Sequence, residues 1–182
     1  MSRISIPARD DAHADAKPVL DNVHKLLGFV PNLHRLMSNN PNVLNGWAQL
    51  QASLAKTLDA KTRDAIALAV SQVDGCDYCL AAHTYIASNF AKLSPEEIAH
   101  NRKGHSLDAK RAAAAAFARD LVEHRGNVTD KDLENVRAAG YSDGDIVAMI
   151  GLSAQYLMTN FMNNAAQTPI DFPKVEPASS AA

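Results

Sequence analysis

The sequence predicts an all-α fold, and both its composition and its turn residues indicate this class. Alanine, the strongest helix former, occurs 32 times among the 182 residues, whereas aromatic residues make up only 5% of the chain. Four glycines follow helical patterns at positions typical of left-handed C-terminal caps: Gly28, Gly104, Gly126 and Gly140. We therefore expect helices separated by short turns.

Four helices are predicted in the first half of the chain, at about residues 17–27, 42–57, 60–74 and 76–91. The first of them ends at Gly28. In the second, Trp47, Leu50 and Leu54 are spaced three and four residues apart, which predicts a stripe that faces the core. Gly75 breaks the helical pattern and so separates the third helix from the fourth.

Four more helices are predicted in the second half, at about residues 95–103, 108–125, 130–139 and 143–165. The run Ser94-Pro95-Glu96-Glu97 combines an N-cap serine, a proline at the first helical position and a glutamate at the third. The alanine run 112–116 predicts close packing against another helix. Thr129 and Ser142, each followed three residues later by an aspartate, mark the starts of the last two helices.

The length suits a single domain that spans residues 1–182, with a core at about 17–168 and a flexible C-terminal tail at about 169–182. Eighteen basic and twenty acidic residues give a net charge of −2, which makes nucleic acid an unsuitable partner. The start lacks the apolar stretch of a secretory signal, and no later segment resembles a membrane span. We therefore expect a soluble, cytoplasmic protein with no membrane partner.

The two cysteines and one histidine carry most of the functional information. At about 100° per residue, Cys76, Cys79 and His83 fall on one helical stripe about 60° wide, so two thiols and an imidazole share a face. A helix N-terminus and a nearby histidine both favour a thiolate. Cys79 is therefore the expected nucleophile, with His83 as its base and Cys76 as the resolving thiol. Attack by Cys76, which lies nearer the helix terminus, is the competing assignment.

Other interpretations of this motif involve a metal or no chemistry at all. Structural zinc requires four protein ligands, and the chain offers no second ligand pair of suitable spacing, whereas a catalytic metal held by Cys76, Cys79 and His83 plus water is chemically possible. The cysteines could also be two small core residues. The redox interpretation is preferred, with no metal and no cofactor. Tyr78 lies inside the motif, and Asn160 and Asn163 are candidates for buried hydrogen bonding.

The motif and the run before it, Thr62-Arg63-Asp64-Ala65-Ile66-Ala67-Leu68-Ala69-Val70, resemble the alkylhydroperoxidase D (AhpD) family of the carboxymuconolactone decarboxylase superfamily. The family pattern is a glutamate, eleven residues, Cys-x-x-Cys, three residues and a histidine. Cys76, Cys79 and His83 match this pattern, and Asp64 stands in the glutamate position. The resemblance also extends upstream to Val30-Pro31-Asn32-Leu33.

The resemblance implies an all-helical AhpD-like fold assembled as homotrimers or homohexamers. It implies a peroxidase that reduces organic hydroperoxides or a partner peroxiredoxin, with electrons returned by an external thiol reductant such as a lipoyl protein. It also implies that Cys79 is peroxidatic, that Cys76 resolves, and that Asp64 and His83 relay protons. Two alternatives are a lyase that acts on a lactone acid, as in the cysteine-free branch of the superfamily, and a redox-sensing protein without turnover.

The proposed role of Asp64 raises a geometric problem. On one straight helix, Asp64 and Cys76 would lie about 18 Å apart at 1.5 Å per residue. A relay therefore requires a bend at Asp74-Gly75 or a carboxylate from elsewhere. Otherwise Asp64 is a solvated first-turn residue beside Arg63. The other histidines are expected at the surface or at an interface: His24, His34, His100, His105 and His124.

Overall fold

The computed structural model describes residues 2–178, and within that range it contains nine α-helices, one short 3-10 helix at Ala14–Ala16 and no strand. The all-α prediction is therefore confirmed. The helices are Lys17–Leu27 (α1), Asn32–Met37 (α2), Pro41–Leu54 (α3), Ala60–Val73 (α4), Asp77–Asn89 (α5), Pro95–Arg102 (α6), Ala109–Glu123 (α7), Asp130–Ala138 (α8) and Asp143–Ala166 (α9). Within the described residues, none of them is long and apolar enough to cross a membrane.

The eight predicted helices are all present, and the structure adds α2. This helix has only six residues, too few for a hydrophobic period to be recognised, and it begins directly after Pro31. The predicted core stripe of α3 is correct at Trp47 but wrong at Leu50, which is 43% exposed. Leu54 is partly buried and packs against the core beside Gly151, so only Leu50 departs from the predicted stripe.

Helix α4 is the centre of the molecule. It packs against α5, α6, α7 and α9, and its stretch from Ala65 to Val70 is fully buried. Ala114, Ala115 and Ala118 of α7 are also fully buried, so the alanine run supports close helix packing as predicted. Small side chains let the backbones of neighbouring helices approach each other closely.

A tight reversal joins α4 to α5. Gly75 has a φ of 65°, a left-handed conformation that favours glycine, and the Cys76 amide donates to the Ser71 carbonyl at 3.0 Å. Because α5 then runs back along α4, residues late in α5 approach residues early in α4. This reversal is the bend at Asp74-Gly75 that a proton relay between Asp64 and the cysteine motif requires.

The C-terminal segment from residue 169 was expected to be flexible, yet residues 169–178 lie against the helices. The backbone amide of Ala178 donates to Asp77 Oδ1 at 2.8 Å, and Gln72 Nε2 donates to the Ala178 carbonyl at 2.8 Å. Phe172 packs edge-on against Tyr78 with a centroid distance of 5.8 Å. These contacts fix the segment across α5, and the rest of the expected tail, 179–182, lies outside the described residues.

Candidate functional site

The two cysteines lie at the beginning of α5. Cys76 is the N-cap residue, and its Sγ accepts a hydrogen bond from the Cys79 amide at 3.2 Å. Both side chains are free thiols, with exposed fractions of 0% for Cys76 and 3% for Cys79. The sequence therefore places the pair where a disulfide could form within one helical turn, and the structure holds the pair in its reduced form.

The surroundings of Cys79 oppose its ionisation. Burial raises the pKa of Cys79 well above its ordinary value, and hydrogen bonding to Cys76 and the charge of Asp74 raise it further. One contact acts in the opposite direction, because Asn163 Nδ2 of α9 donates to Cys79 Sγ at 3.3 Å and lowers the pKa. The raising effects outweigh this donor, so the thiol is protonated at neutral pH and its reaction requires a base.

His83 lies one turn beyond Cys79 on α5. Burial lowers the pKa of His83 to about 4, so the imidazole is neutral at physiological pH and can accept a proton. Its Nδ1 is buried and has no hydrogen-bond partner within the described residues. Its ring contacts Tyr156 of α9 edge-on, at a centroid distance of 5.1 Å. Among the hydrogen bonds of the described residues, none joins His83 to a sulfur atom.

Asp64 is not a solvated first-turn residue, because it is only 8% exposed. Burial raises the pKa of Asp64 to about 7; the charge of Arg63 opposes this rise and that of Asp59 adds to it. Burial also raises the pKa of Tyr156, and the charge of Asp64 raises it further. The Tyr156 hydroxyl donates to the Arg63 carbonyl at 3.4 Å, and the Tyr156 ring contacts His83, so this tyrosine lies between the first turn of α4 and the histidine of α5.

A cavity of about 390 Å³ lies beside these residues. Four aromatic side chains form much of its wall, together with two histidines: Trp47, Tyr78, Tyr156, Phe172, His34 and His83. We call this space the aromatic cavity. Burial lowers the pKa of His34 to about 4, so both histidines are neutral, and no lysine or arginine is part of the described wall. The expected surface role of His34 is therefore wrong, because α2 turns this residue inward.

The C-terminal segment completes one side of the cavity. Tyr78, the residue between the two cysteines, donates from its hydroxyl to Asp171 Oδ1 at 2.8 Å. The same hydroxyl accepts from the Leu33 amide at 3.2 Å, and Asp171 Oδ2 accepts from the Asn32 amide at 2.7 Å. The carboxylate of Asp171 thus joins the cysteine motif to the start of α2, and Phe172 follows it into the cavity wall.

Sequence reasoning found only part of this site. The structure places Cys79 and His83 on α5 and Cys76 just before it, as the N-cap residue in extended backbone rather than in the first helical turn. Asn160 and Asn163 make buried hydrogen bonds, as expected. Tyr156 was missed, although its position seven residues before Asn163 puts both on one face of α9. No group of three or more histidine, cysteine or acidic side chains within residues 2–178 is arranged to hold a metal ion.

Solved structures identify the class of fold. An AhpD-core, peroxidase-related protein from Ralstonia eutropha JMP134 superposes with a TM-score of 0.84 and 22% identity, over 93% of this chain and 92% of that one. A peroxidase-related protein from Silicibacter sp. TM1040 gives 0.80 and 22%, over 92% and 91%. A variant of the debrominase Bmp8, in complex with 2,3,4-tribromopyrrole, gives 0.80 and 21%, over 94% and 92%. The chain therefore has the AhpD-like fold.

A family model matches part of the sequence. The profile of the carboxymuconolactone decarboxylase family matches residues 41–124, a stretch that contains α4, α5 and both cysteines. No curated protein sequence matches the chain significantly. The chain thus has an AhpD-like fold, and its residues 41–124 are similar to the carboxymuconolactone decarboxylase family.

Proposed function

We propose that this protein is a thiol-dependent peroxidase in which Cys79 attacks an organic hydroperoxide. The observation that carries the proposal is the pair of reduced thiols in one helical turn, with Cys79 hydrogen-bonded by Asn163 and followed one turn later by a neutral His83. These are the parts of an activated thiol: a nucleophile, a donor that favours its thiolate and a base that can take its proton.

The reaction proceeds in two thiol steps. The Cys79 thiol gives its proton to His83, and the thiolate attacks the terminal oxygen of the hydroperoxide. An S–O bond forms, the O–O bond breaks, and the leaving alkoxide takes the proton to become an alcohol. Sulfur loses two electrons and the peroxide gains them. The Cys76 thiol then loses its proton and its sulfur attacks the sulfur of the Cys79 sulfenic acid; the S–S bond forms, the S–O bond breaks, and the leaving hydroxide takes that proton to become water.

The lowered pKa of the buried histidine suits the second proton transfer, to the alkoxide, and makes the first transfer, from the Cys79 thiol, the uphill step. With a pKa lowered to about 4, His83 passes the proton readily to the alkoxide, which is far more basic. Asp64, whose pKa is raised to about 7, can exchange protons near neutral pH, and its charge acts on Tyr156, whose ring contacts His83. We therefore assign the relay to Asp64, Tyr156 and His83.

The aromatic cavity indicates the kind of substrate. Its described wall contains no lysine or arginine and two neutral histidines, so it favours an uncharged organic molecule. A lactone acid would bring a carboxylate that this wall leaves without a cation, which argues against the lyase alternative. Because the chain contains only two cysteines, an external dithiol in the cytoplasm, such as that of a lipoyl protein, would reduce the Cys76–Cys79 disulfide and complete the cycle. A partner peroxiredoxin disulfide is the alternative substrate, which the reduced pair would itself reduce.

The decisive experiment is hydroperoxide-dependent oxidation of dihydrolipoamide by the purified protein. We expect turnover in the parent protein, none in Cys79→Ser, and at most a single turnover in Cys76→Ser, which can form the sulfenic acid but cannot resolve it. Mass spectrometry should show an intramolecular disulfide only in the parent. A full thiol titre after hydroperoxide treatment would contradict the proposal, whereas disulfide formation without turnover would favour a redox sensor.

Reductive removal of bromine is a second candidate, favoured by one observation. The aromatic cavity is uncharged and large enough for a small aromatic ring, and a debrominase of the same fold binds a tribromopyrrole. Release of bromide from bromopyrroles, measured with the same cysteine variants and the same dithiol, distinguishes this activity from peroxide reduction.

A further inference from the structure

Three asparagines of α9 face the reversal between α4 and α5. Asn164 Nδ2 donates to the Asp74 carbonyl at 3.1 Å, and Asn160 Oδ1 accepts from Ser71 Oγ at 3.5 Å. Asn163 lies between them and donates from Nδ2 to Cys79 Sγ at 3.3 Å. Within the described residues, Asn163 is the one member of this cluster with a hydrogen bond to sulfur.

The charge pattern around Cys79 makes this neutral donor important. Cys76 and Asp74 both oppose ionisation of Cys79, and its own charge would in turn raise the pKa of Tyr78. On α5, His83 is neutral. On α9, the group that contacts the sulfur is the Asn163 amide. Because no cation among residues 2–178 donates a hydrogen bond to the sulfur, this amide is the group that offsets the loss of water around a thiolate.

The other end of the same amide is unused. Asn163 is 3% exposed, and its Oδ1 is buried without a hydrogen-bond partner among residues 2–178. A buried acceptor without a donor is unfavourable, so its presence beside a reacting atom calls for a reason. Oxidation supplies a donor, because the sulfenic acid S–O–H places a hydroxyl hydrogen next to this sulfur.

We propose that Asn163 is a catalytic residue that serves both states of Cys79, donating from Nδ2 to the thiolate and accepting at Oδ1 from the hydroxyl of the sulfenic acid. The inference rests on the proposed peroxidase function and names a residue for it that neither the motif nor the histidine relay includes. When Cys79 is oxidised, the hydrogen-bond partner of Asn163 changes from the thiolate to the hydroxyl of the sulfenic acid. Asn163 itself takes no proton.

The thiolate half can be tested without any peroxide. In the Cys76→Ser background Cys79 is the only thiol, so the rate of its alkylation by iodoacetamide against pH, followed by mass spectrometry, reports its ionisation alone. Asn163→Leu removes both polar atoms, and Asn163→Asp keeps the shape but replaces the donor with oxygen. We expect both changes to raise the pKa of Cys79 and to lower its thiolate fraction at neutral pH about tenfold.

The matched control is Asn160→Leu, a change of equal size in the same buried cluster that leaves Cys79 Sγ untouched. It should leave the titration of Cys79 unchanged. Circular dichroism checks that each variant is folded, and Asn163→Asp provides a second test if Asn163→Leu is not. Equal titrations in the Asn163 variants and the control would overturn the proposal.

The sulfenic acid half uses one equivalent of an organic hydroperoxide in the same background. The lifetime of the sulfenic acid is followed by chemical trapping, and its loss to sulfinic acid by mass spectrometry. We expect this lifetime to be severalfold shorter in Asn163→Leu than in Asn160→Leu. Equal lifetimes in the two variants would overturn this half of the proposal. The two proposals fail separately. If the Asn163 variants shift the titration of Cys79 as expected but the parent protein shows no turnover, the peroxidase function alone is rejected. If the parent protein turns over but the Asn163 variants do not shift the titration of Cys79, the role of Asn163 alone is rejected.

Discussion

Buried titratable side chains around the site respond to pH in opposite directions. His34 and His83 have pKa values lowered to about 4, so between about 4 and 6.5 the unfolded chain binds protons that the folded chain does not, and stability falls as pH falls. Asp64 has its pKa raised to about 7, so from about 3.8 to 7 the folded chain holds the extra proton and stability falls as pH rises. The histidines thus weaken the fold in acid, and Asp64 weakens it near neutrality.

Replacing the buried carboxyl group separates these effects. Asp64→Asn keeps the shape but cannot ionise, so it should stabilise the protein more at pH 8 than at pH 5, by on the order of 2–3 kcal/mol. Urea unfolding of both proteins at the two pH values measures this difference. An equal stabilisation at pH 5 and at pH 8 would mean that the pKa of Asp64 is the same in the folded and the unfolded protein. Turnover should fall in the same variant, because the relay has lost its acid.

At the scale of the elements, the reversal at Gly75 determines what the helices bring together. Helices and their caps follow local rules, so the capping residues Ser94, Thr129 and Ser142 could be read from the sequence and are found in the structure. The partners across helices could not. The contact of Tyr156 with His83 and that of Asn163 with Cys79 depend on how α9 lies beside α5, and no spacing along the chain encodes that angle.

Two glycines provide a matched test of the reversal. A Cβ at Gly75 or at Gly46 would meet nothing within 4 Å, so the two positions differ chiefly in backbone conformation. Gly75 has a positive φ, and Gly75→Ala should cost about 1 kcal/mol or more. Gly46 lies inside α3, and Gly46→Ala should stabilise the protein by about 0.5–1 kcal/mol. Chemical denaturation gives the change in the free energy of unfolding for each variant. Changes of the same sign in the two variants would contradict the role of the turn at Gly75.

At the scale of the whole molecule, α9 has two different faces. One face is buried against the central helices, with Met149 and Leu152 in the core, while the other exposes Val147, Ile150 and Phe161. These three exposed side chains lie three and eleven residues apart, so they form a stripe along the helix. Large exposed apolar residues in a row are typical of surfaces that another protein covers.

We expect this stripe to be covered by a second copy of the chain, in the homotrimer or homohexamer that the family resemblance implies. Light scattering should then give three or six times the chain mass of 19.5 kDa. Phe161→Glu should lower the mass in solution, because a carboxylate would be buried at the interface. Phe90→Glu changes a residue of similar exposure on another surface and serves as the control. A parent protein that is monomeric at micromolar concentration would contradict this prediction.

The near-complete burial of both sulfur atoms makes the size of a thiol reagent a measure of local opening. A small reagent needs little opening to reach Cys79, so its rate of reaction reports mainly the reactivity of that thiol. A bulky aromatic disulfide, or a dithiol carried on a protein, can reach the pair only when the start of α5 or the segment across it opens transiently. The rate of that opening, rather than the chemistry of sulfur, then sets the fastest cycle that a large reductant can sustain.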